Sequence, residues 1–227
     1  MRGKFITFEG GEGTGKSTQA AMLALRLESL GLAVLLTREP GGSPGAEIIR
    51  HVLLSGAAKP LGPEAEAMLF AAAREDHVRC TIEPALAAGK WVVCDRFADS
   101  TRVYQGVLGA VDERLIRGLE RVSIGTLSPD LTFVLDVPVD IGLARVTQRR
   151  HNAAPDRFEG ESSEFHERLR EAFLGLAAAE PNRCVIVDTN RPRMNVAKTI
   201  WETVTRRLDP ATAPLSVAAQ TAQDLAS

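Results

Sequence analysis

The sequence predicts an α/β fold in which helices cover both faces of a parallel sheet. Short apolar runs without alternating polar residues are typical of strands that are buried on both sides. These runs alternate along the chain with segments of helical apolar spacing, and that alternation indicates βαβ units. The five predicted strands span 4–9, 32–37, 91–94, 131–135 and 184–187.

The predicted helices occupy the intervals between these strands. They cover 17–30, 46–54, 63–88, 112–122, 139–150, 163–179 and 196–208. The third of them begins with a proline, which a first helical turn tolerates, and ends at Gly89. We expect a single domain over residues 1–208. Residues 209–227 have no strong apolar period and are rich in Ala, Thr, Ser and Pro, so we expect a flexible tail there.

The composition is that of an ordinary globular protein. Of the 227 residues, 44% are hydrophobic and 25% are charged, and no apolar run is long enough to span a membrane. The start of the chain has no signal-peptide pattern, so we expect a cytoplasmic protein. The net charge of −2 argues against nucleic acid as the main partner. The three cysteines have spacings that indicate neither a zinc site nor a disulfide framework.

A glycine-rich loop follows the first predicted strand and matches the pattern G-x-x-x-x-G-K-[ST]. In such a loop the backbone N–H groups bind phosphate oxygens, the lysine reaches the β- and γ-phosphates, and the hydroxyl binds Mg²⁺. The loop lies between a strand and a helix, as the motif requires, so we predict a P-loop NTPase fold. The residues expected to bind ATP are Gly10, Gly11, Glu12, Gly13, Thr14, Gly15, Lys16, Ser17 and Thr18.

Two common classes of P-loop protein do not fit the sequence. A small GTPase needs an N-K-x-D motif after a strand, whereas the fifth predicted strand is followed by the sequence DTNRP. An adenylate kinase usually has proline at the position of Glu12. The loop therefore predicts a nucleoside triphosphate site and leaves the reaction open.

Asp95 and Arg96 follow the third predicted strand. Ligands of open α/β sheets bind at the carboxyl ends of the strands, so both side chains are candidates for the site. Asp95 can hold a water of the Mg²⁺ shell, and Arg96 can bind the phosphate of an acceptor. A structural Asp–Arg pair that caps the strand is the alternative.

Several stretches resemble bacterial thymidylate kinases in the order and spacing of that family. They are FEGGEGTGKST (8–18), TREPGG (37–42), EAMLFAAARE (66–75), VVCDRFADST (92–101), VYQG (103–106), PDLTFVLDVP (129–138) and DRFE (156–159). The resemblance covers about residues 3–207. It implies a five-stranded parallel sheet with a short arginine-bearing lid, usually in a homodimer. The implied reaction uses ATP and Mg²⁺ to convert dTMP to dTDP, in the supply of dTTP for DNA synthesis.

The resemblance also implies how the acceptor is bound. Phe70 and Arg74 are one helical turn apart and share a face, so a ring can stack on thymine while a guanidinium donates to a base oxygen. Without the resemblance, Phe70 would be assigned to the core and Arg74 to the solvated surface. The ring of Tyr104 can exclude a ribose 2′-hydroxyl, or it can simply be a packing residue. The full set of implied acceptor-binding residues is Arg38, Arg50, Phe70, Arg74, Arg96, Thr101, Tyr104 and Gln105.

The catalytic residues follow from the same resemblance. They are Lys16, Arg96, Arg149, Arg157 and Glu12. Glu12 would position the acceptor, and the two arginines at 149 and 157 would belong to a lid at about 145–160. Ser17 and Asp95 are the expected Mg²⁺ ligands. The chain departs from the family after VYQG, where residues 107–110 are VLGA instead of containing an arginine–glycine pair.

Other functions remain open at this point. A deoxynucleoside kinase would phosphorylate a neutral sugar hydroxyl and would need a carboxylate base beside it. Another pyrimidine monophosphate kinase would differ in its base pocket. A non-catalytic nucleotide switch would bind ATP or GTP without depending on a monophosphate. On the main prediction the partners are nucleotides and a second copy of the chain, with neither nucleic acid nor membrane.

Overall fold

A computed structural model describes residues 2–150 and 158–212 of the chain. Two of the predicted features therefore fall partly outside it. Arg157 and the rest of segment 151–157, within the predicted lid, lie outside the described residues. So do residues 213–227 of the predicted tail.

The described chain has a parallel sheet at its centre. Its strands are β1 (Phe5–Glu9), β2 (Val34–Arg38), β3 (Trp91–Asp95), β4 (Leu131–Asp136) and β5 (Cys184–Asp188). The five strands are arranged in the order β2-β3-β1-β4-β5, and each pair of neighbours is parallel. All residues of the central strand β1 are buried, as expected where helices cover both faces. The predicted fold class is confirmed.

Helices pack on both faces of this sheet. They are α1 (Lys16–Glu28), α2 (Pro44–Leu54), α3 (Pro63–His77), α4 (Glu83–Ala87), α5 (Ala98–Thr101), α6 (Glu113–Ile124), α7 (Val139–Arg150), α8 (Ser163–Ala179) and α9 (Arg193–Leu208). On one face, Leu23 of α1 and Ile200 of α9 belong to the same core cluster as Phe8 of β1. On the other face, Leu86 of α4 packs in a cluster with Phe5. Phe5 and Phe8 therefore pack on opposite faces of the sheet, because side chains alternate between the two faces along a strand.

Some element boundaries differ from the sequence prediction for local reasons. β2 begins later than predicted because Leu32 belongs to the turn that ends α1, where its N–H donates to the Leu27 carbonyl at 3.4 Å. The strand also extends to Arg38, which is in register with Asp95 of β3. α2 begins at Pro44 rather than at residue 46, because proline is tolerated in a first helical turn.

Two π-helical segments are features that apolar spacing does not reveal. Val78–Ile82 joins α3 to α4, so the helix predicted over 63–88 contains a widened turn. Arg102–Leu108 continues α5 and carries Tyr104 and Gln105. Because π segments occur frequently at functional sites, the second one marks this region as a candidate.

The topology brings the predicted site residues to one edge of the sheet. Strands that run parallel have their carboxyl ends on the same side, so the loops after β1, β2 and β3 meet there. The glycine-rich loop of residues 10–17, hereafter the phosphate loop, leaves β1, Arg38 ends β2, and Arg96 follows β3. Among the helices of the described residues, none has the length and apolar character needed to cross a bilayer.

Candidate active site

The phosphate loop wraps around the amine of Lys16. The Nζ atom of Lys16 donates to the Gly11 carbonyl at 2.6 Å and lies 3.5 Å from Thr14 Oγ1. Gly13 has a φ of 70°, and a Cβ atom there would lie 2.0 Å from the Gly142 carbonyl oxygen of α7. Only glycine fits at this position, where the loop rests against α7. The amine is therefore held inside a ring of backbone, where it can meet phosphate oxygens.

The electrostatics of Lys16 favour an anionic ligand. Burial, reinforced by the charge of Arg96, lowers the pKa of Lys16 to about 8, although Glu12 and Asp95 partly offset this effect. The folded protein therefore stabilises the charged form of this amine less well than water does. Phosphate oxygens would supply the missing negative charge.

Ser17 and Asp95 bring two side-chain oxygen groups together at the start of α1. The Ser17 hydroxyl donates to Asp95 Oδ2 in a short hydrogen bond. Oxygen donors of this kind suit Mg²⁺, which usually takes one or two protein ligands together with substrate phosphates. No group of three His, Cys, Asp or Glu residues able to hold a metal occurs in the described part of the chain. The pair fits a metal that arrives with ATP.

Arg96 connects the phosphate loop to the loop after β3. It has a φ of 68°, in the left-handed region that residues other than glycine rarely adopt. Its guanidinium donates to the Gly10 carbonyl at 3.2 Å, to Ser100 Oγ at 3.3 Å and to Glu12 Oε1 at 2.5 Å. Strained backbone of this kind is found at ligand sites, where the surrounding contacts hold it in place.

Glu12 is fixed by two of the predicted site residues. Tyr104 donates its hydroxyl to Glu12 Oε1 at 3.0 Å, and Arg96 contacts the same oxygen. Burial alone would raise the pKa of Glu12, but the charges of Arg96 and Lys16 outweigh it and lower the pKa to about 2. Glu12 is therefore an ionised acceptor of hydrogen bonds in the site.

A cavity of about 300 Å³ runs from the phosphate loop to α3. It unites most of the residues predicted from the sequence, which come from the phosphate loop and from elements between α1 and α7. Those on its wall are Glu12, Gly13, Gly15, Lys16, Ser17, Thr18, Arg38, Arg50, Phe70, Asp95, Arg96, Thr101, Tyr104, Gln105 and Arg149. Of the others, Gly11 and Thr14 line neighbouring cavities, and Gly10 contacts Arg96.

The end of the cavity beyond Arg96 is aromatic. The Tyr104 ring lies 4.9 Å from the Phe158 ring, and Phe70 lies 6.4 Å from the same ring, centroid to centroid. Gln105 and Thr101 are buried at the cavity wall. Flat apolar groups with a few buried polar ones are what a heteroaromatic base requires.

Arg74 is not on the cavity wall, but it contacts a residue that is. Its Nη2 atom donates to Thr101 Oγ1 at 3.0 Å and to the Phe97 carbonyl at 3.3 Å, and its Nε atom donates to Glu39 at 2.7 Å. Only 3% of Arg74 is exposed. The alternative that Arg74 is a solvated surface residue is therefore wrong.

Two other predicted arginines hold the loop after β2. Arg38 is half exposed and forms an ion pair with Glu47 of α2 at 3.0 Å. Arg50 donates to the Pro40 carbonyl at 2.5 Å. Both line the cavity between the phosphate loop and the aromatic end.

The predicted lid begins as the last turns of α7. Arg145 donates to the Gly13 carbonyl at 3.4 Å and to the Thr189 carbonyl at 3.1 Å. Arg149 forms an ion pair with Glu159 at 2.9 Å and lines the main cavity. Arg157, the other predicted lid arginine, lies outside the described residues.

A second cavity of about 310 Å³ lies on the other side of the phosphate loop. Four arginines line it, namely Arg145, Arg149, Arg191 and Arg193. The last two were missed in the sequence, although the sequence RPR at 191–193, shortly after the fifth predicted strand, was a signal. The two cavities share Gly13, Gly15, Thr18 and Arg149, and the phosphate loop lies between these two places where parts of nucleotides can bind.

Comparison with known proteins agrees with this geometry. A family model described as thymidylate kinase matches residues 8–200. The chain belongs to the thymidylate kinase family. It is 61% identical over 209 residues to a thymidylate kinase of Bradyrhizobium diazoefficiens, covering 92% of each chain, and 60% identical over 215 residues to one of Rhodopseudomonas palustris, covering 94% of each. It also superposes on the crystal structure of thymidylate kinase from Ehrlichia chaffeensis with a TM-score of 0.72 and 32% identity, over 90% of this chain and 100% of that one.

Membership of the thymidylate kinase family confirms the activity predicted from the sequence. The chain is an ATP-dependent kinase that phosphorylates dTMP. The predicted P-loop fold is confirmed by the same comparisons and by the sheet. The individual site residues remain predictions, supported by the way they line one cavity.

Glu9 is a buried residue of this kinase that sequence reasoning missed. It ends β1, is 0% exposed, and accepts hydrogen bonds from Phe97 N at 2.8 Å and from Ser100 Oγ at 2.6 Å. A carboxylate at the end of an apolar run was the available signal. Burial and the nearby Asp99 carboxylate raise the pKa of Glu9 to about 8.

We expect this raised pKa to appear in the pH dependence of stability. The folded state retains a proton on Glu9 that the unfolded state loses near its ordinary pKa of 4.5, so Glu9 lowers the free energy of unfolding as pH rises from there to about 8. Glu9→Gln removes this titration. Urea unfolding at several pH values should therefore show wild type losing stability relative to E9Q between about pH 5 and about pH 8. If the free energies of unfolding of wild type and E9Q change with pH in parallel, the raised pKa of Glu9 is contradicted. Glu202→Gln, which replaces an exposed carboxylate on α9, is the control.

Proposed function

We propose that the main cavity holds dTMP and that ATP binds along the phosphate loop with its far end in the arginine-lined second cavity. The main cavity is continuous, and this continuity is the main support for the proposal. Lys16 and Ser17 line it at one end, Phe70 and Gln105 line it at the other, and Arg96 lies between them. Such a cavity can bring a donor phosphate and an acceptor phosphate together in line.

Three arginines suit the phosphate of dTMP. Arg38, Arg50 and Arg96 line the cavity from different loops, and guanidinium groups bind phosphate oxygens bidentately. The dTMP phosphate is already ionised near neutral pH, so the attacking oxygen needs no strong general base. The role of these residues is then to offset the repulsion between two polyanions and to align them.

The aromatic end of the cavity suits the thymidine part. Phe70 can stack on the base, and Gln105 and Thr101 offer polar atoms to its edge. Arg74 has two N–H groups on Nη1 that make no hydrogen bond to any described residue. We assign these groups to the 4-oxo group of thymine. Glu12 and Tyr104, which are bonded to each other, face the sugar.

Metal binding and the lid complete the proposal. Ser17 and Asp95 would hold Mg²⁺, and the ion supplies charge neutralisation at the β- and γ-phosphates when it is bound. Arg149, together with Arg157, would reach the transferred phosphate from the lid, and closure of this lid would exclude water. Lys16 would contact the same phosphate from the opposite side.

We also propose a cytoplasmic homodimer built from one domain over residues 1–208, with the predicted tail outside it. The faces of α2 and α3 support the dimer because they expose large apolar side chains. Ile48 is 70% exposed and Met68 is 51% exposed. Large apolar side chains that neighbouring helices expose to this extent are frequent at protein interfaces. A cytoplasmic location agrees with nucleotide supply as the role of the enzyme.

The kinetics of two variants should test the division of the cavity. Phe70→Ala removes a stacking surface at the acceptor end, so we expect KM for dTMP to rise about tenfold or more with KM for ATP unchanged.

Arg149→Ala removes a charge that acts on the transferred phosphate, so we expect kcat to fall about 10²-fold or more with little change in KM for dTMP.

Steady-state kinetics with each substrate varied in turn would measure both effects. A matched control is Arg117→Ala, which removes a 70%-exposed arginine on α6 that pairs only with Glu113 among the described residues. If F70A raises only the KM for ATP, Phe70 contacts ATP rather than dTMP, and the proposed division of the cavity is wrong. An unchanged kcat in R149A would remove that arginine from the reaction.

A further inference from the structure

The guanidinium of Arg74 is clamped on two sides. Its Nε atom donates to Glu39 Oε2 at 2.7 Å, and the two side chains are 3% and 5% exposed. Its Nη2 atom is held by Thr101 Oγ1 and by the Phe97 carbonyl. Because a guanidinium is planar, contacts at Nε and Nη2 fix the direction of the remaining nitrogen, Nη1.

The second carboxylate oxygen of Glu39 contacts a buried histidine. Glu39 Oε1 lies 3.1 Å from Nδ1 of His77, which is fully buried. A carboxylate oxygen paired with a cation accepts hydrogen bonds, so Nδ1 carries the proton that faces it. On the far side of the ring, Nε2 lies 2.8 Å from Thr37 Oγ1. The chain of contacts therefore runs from Thr37 through His77 and Glu39 to Arg74.

The loop after β2 packs closely against this chain of contacts. Gly42 has a φ of 86°, and a Cβ atom there would lie 2.4 Å from both His77 Nε2 and Thr37 Oγ1. The loop backbone is itself anchored, since Glu39 N donates to the Asp95 carbonyl at 2.9 Å. Gly42 therefore packs closely against the contact between His77 and Thr37, and the backbone of Glu39 is tied to the end of β3.

We propose that Thr37, His77 and Glu39 are positioning residues that orient Arg74 and thereby set the discrimination between thymine and cytosine. The inference rests on the role that we proposed for Arg74 in base recognition. Thymine and uracil have an oxygen at C4, which accepts from Nη1, whereas cytosine has an amino group that cannot. Thymine and uracil differ only in the C5 methyl group. A disturbed Arg74 should therefore change selection against dCMP and leave selection against dUMP intact.

The test compares His77→Phe, which removes both ring hydrogen bonds at similar volume, with the pair Thr37→Val and Thr37→Ser. The last two differ in whether the hydroxyl that contacts His77 is kept. We expect H77F to lower the ratio of kcat/KM for dTMP over dCMP about tenfold, because a misaligned charged donor loses most of one hydrogen bond. T37V should lower the same ratio to a smaller extent, and T37S should match wild type. The ratio for dTMP over dUMP and the KM for ATP should not change.

Arg74→Ala separates the inference from the function on which it rests. If R74A lowers the dTMP:dCMP ratio while H77F and T37V do not, the positioning role is refuted and the base-reading role stands. If R74A leaves the ratio unchanged, both are refuted. An equal fall in kcat/KM for all three monophosphates in H77F would mean that His77 supports the fold alone, which also refutes the proposal. Circular dichroism checks folding, and if H77F does not fold, the T37V and T37S pair decides the question.

Discussion

Replacing Lys16 with alanine is expected to lower kcat/KM for phosphate transfer to dTMP by about 10³-fold or more. The Nζ atom is the charged group at the centre of the phosphate loop, 2.6 Å from the Gly11 carbonyl. No other lysine among the described residues lines either cavity beside the loop. The loss should appear in kcat as well as in KM for ATP, because charge on the transferred phosphate needs this amine in the transition state.

The same variant should keep its stability. Burial, with the charge of Arg96, lowers the pKa of Lys16 to about 8, which means that folding disfavours the charged amine. Removing that amine should leave the thermal midpoint unchanged or raise it. A K16A protein that loses activity by unfolding would contradict this account. Lys198→Ala is the matched control, since Lys198 is an exposed lysine on α9 in an ion pair with Glu202 at 3.9 Å.

Arg96→Ala is expected to lower kcat/KM for dTMP by about 10²-fold or more while KM for ATP changes little. Arg96 lies between the two ends of the cavity and, by our proposal, binds the acceptor phosphate. Its loss also leaves Glu12 with fewer compensating charges, so the pKa of Glu12 should rise from about 2. Steady-state kinetics with dTMP varied at saturating ATP would measure the effect.

A double variant separates the two consequences of losing Arg96. Glu12→Gln combined with Arg96→Ala removes the carboxylate that Arg96 contacts together with Arg96 itself. If Arg96 binds the acceptor, the double variant stays as impaired as R96A. Recovery of activity in the double variant would instead show that Arg96 serves only to neutralise Glu12.

The parts of the fold that depend on local sequence could be predicted well. The strands are continuous apolar runs, and the phosphate loop is a contiguous motif whose glycines have no substitute at close contacts such as that of Gly13 with Gly142. The observed strand boundaries differ from the predicted ones where pairing with a neighbouring strand determines them. β2, for example, extends to Arg38 because that residue pairs with Asp95 of β3. The π segment that carries Tyr104 has no signature in apolar spacing.

The partners of the site residues could not be predicted, because they come from distant parts of the chain. Arg74 shares a helical face with Phe70, which local spacing shows. That Arg74 is buried against Glu39, a residue from the loop after β2, depends on how α3 packs beside the sheet. Arg191 and Arg193 join the site only because β5 places its carboxyl end near α7. Family resemblance supplied residue roles that spacing alone would have assigned to packing or to solvent.

This kinase transfers phosphate from ATP to the phosphate of dTMP. The most direct measurement is product analysis with ATP and Mg²⁺ against a panel of dTMP, dUMP, dCMP, thymidine and no acceptor. We predict that ADP and dTDP form in equal amounts with dTMP, that the other monophosphates react more slowly, and that thymidine yields no product. Turnover of thymidine where dTMP fails, or loss of ATP without any acceptor, would contradict the account.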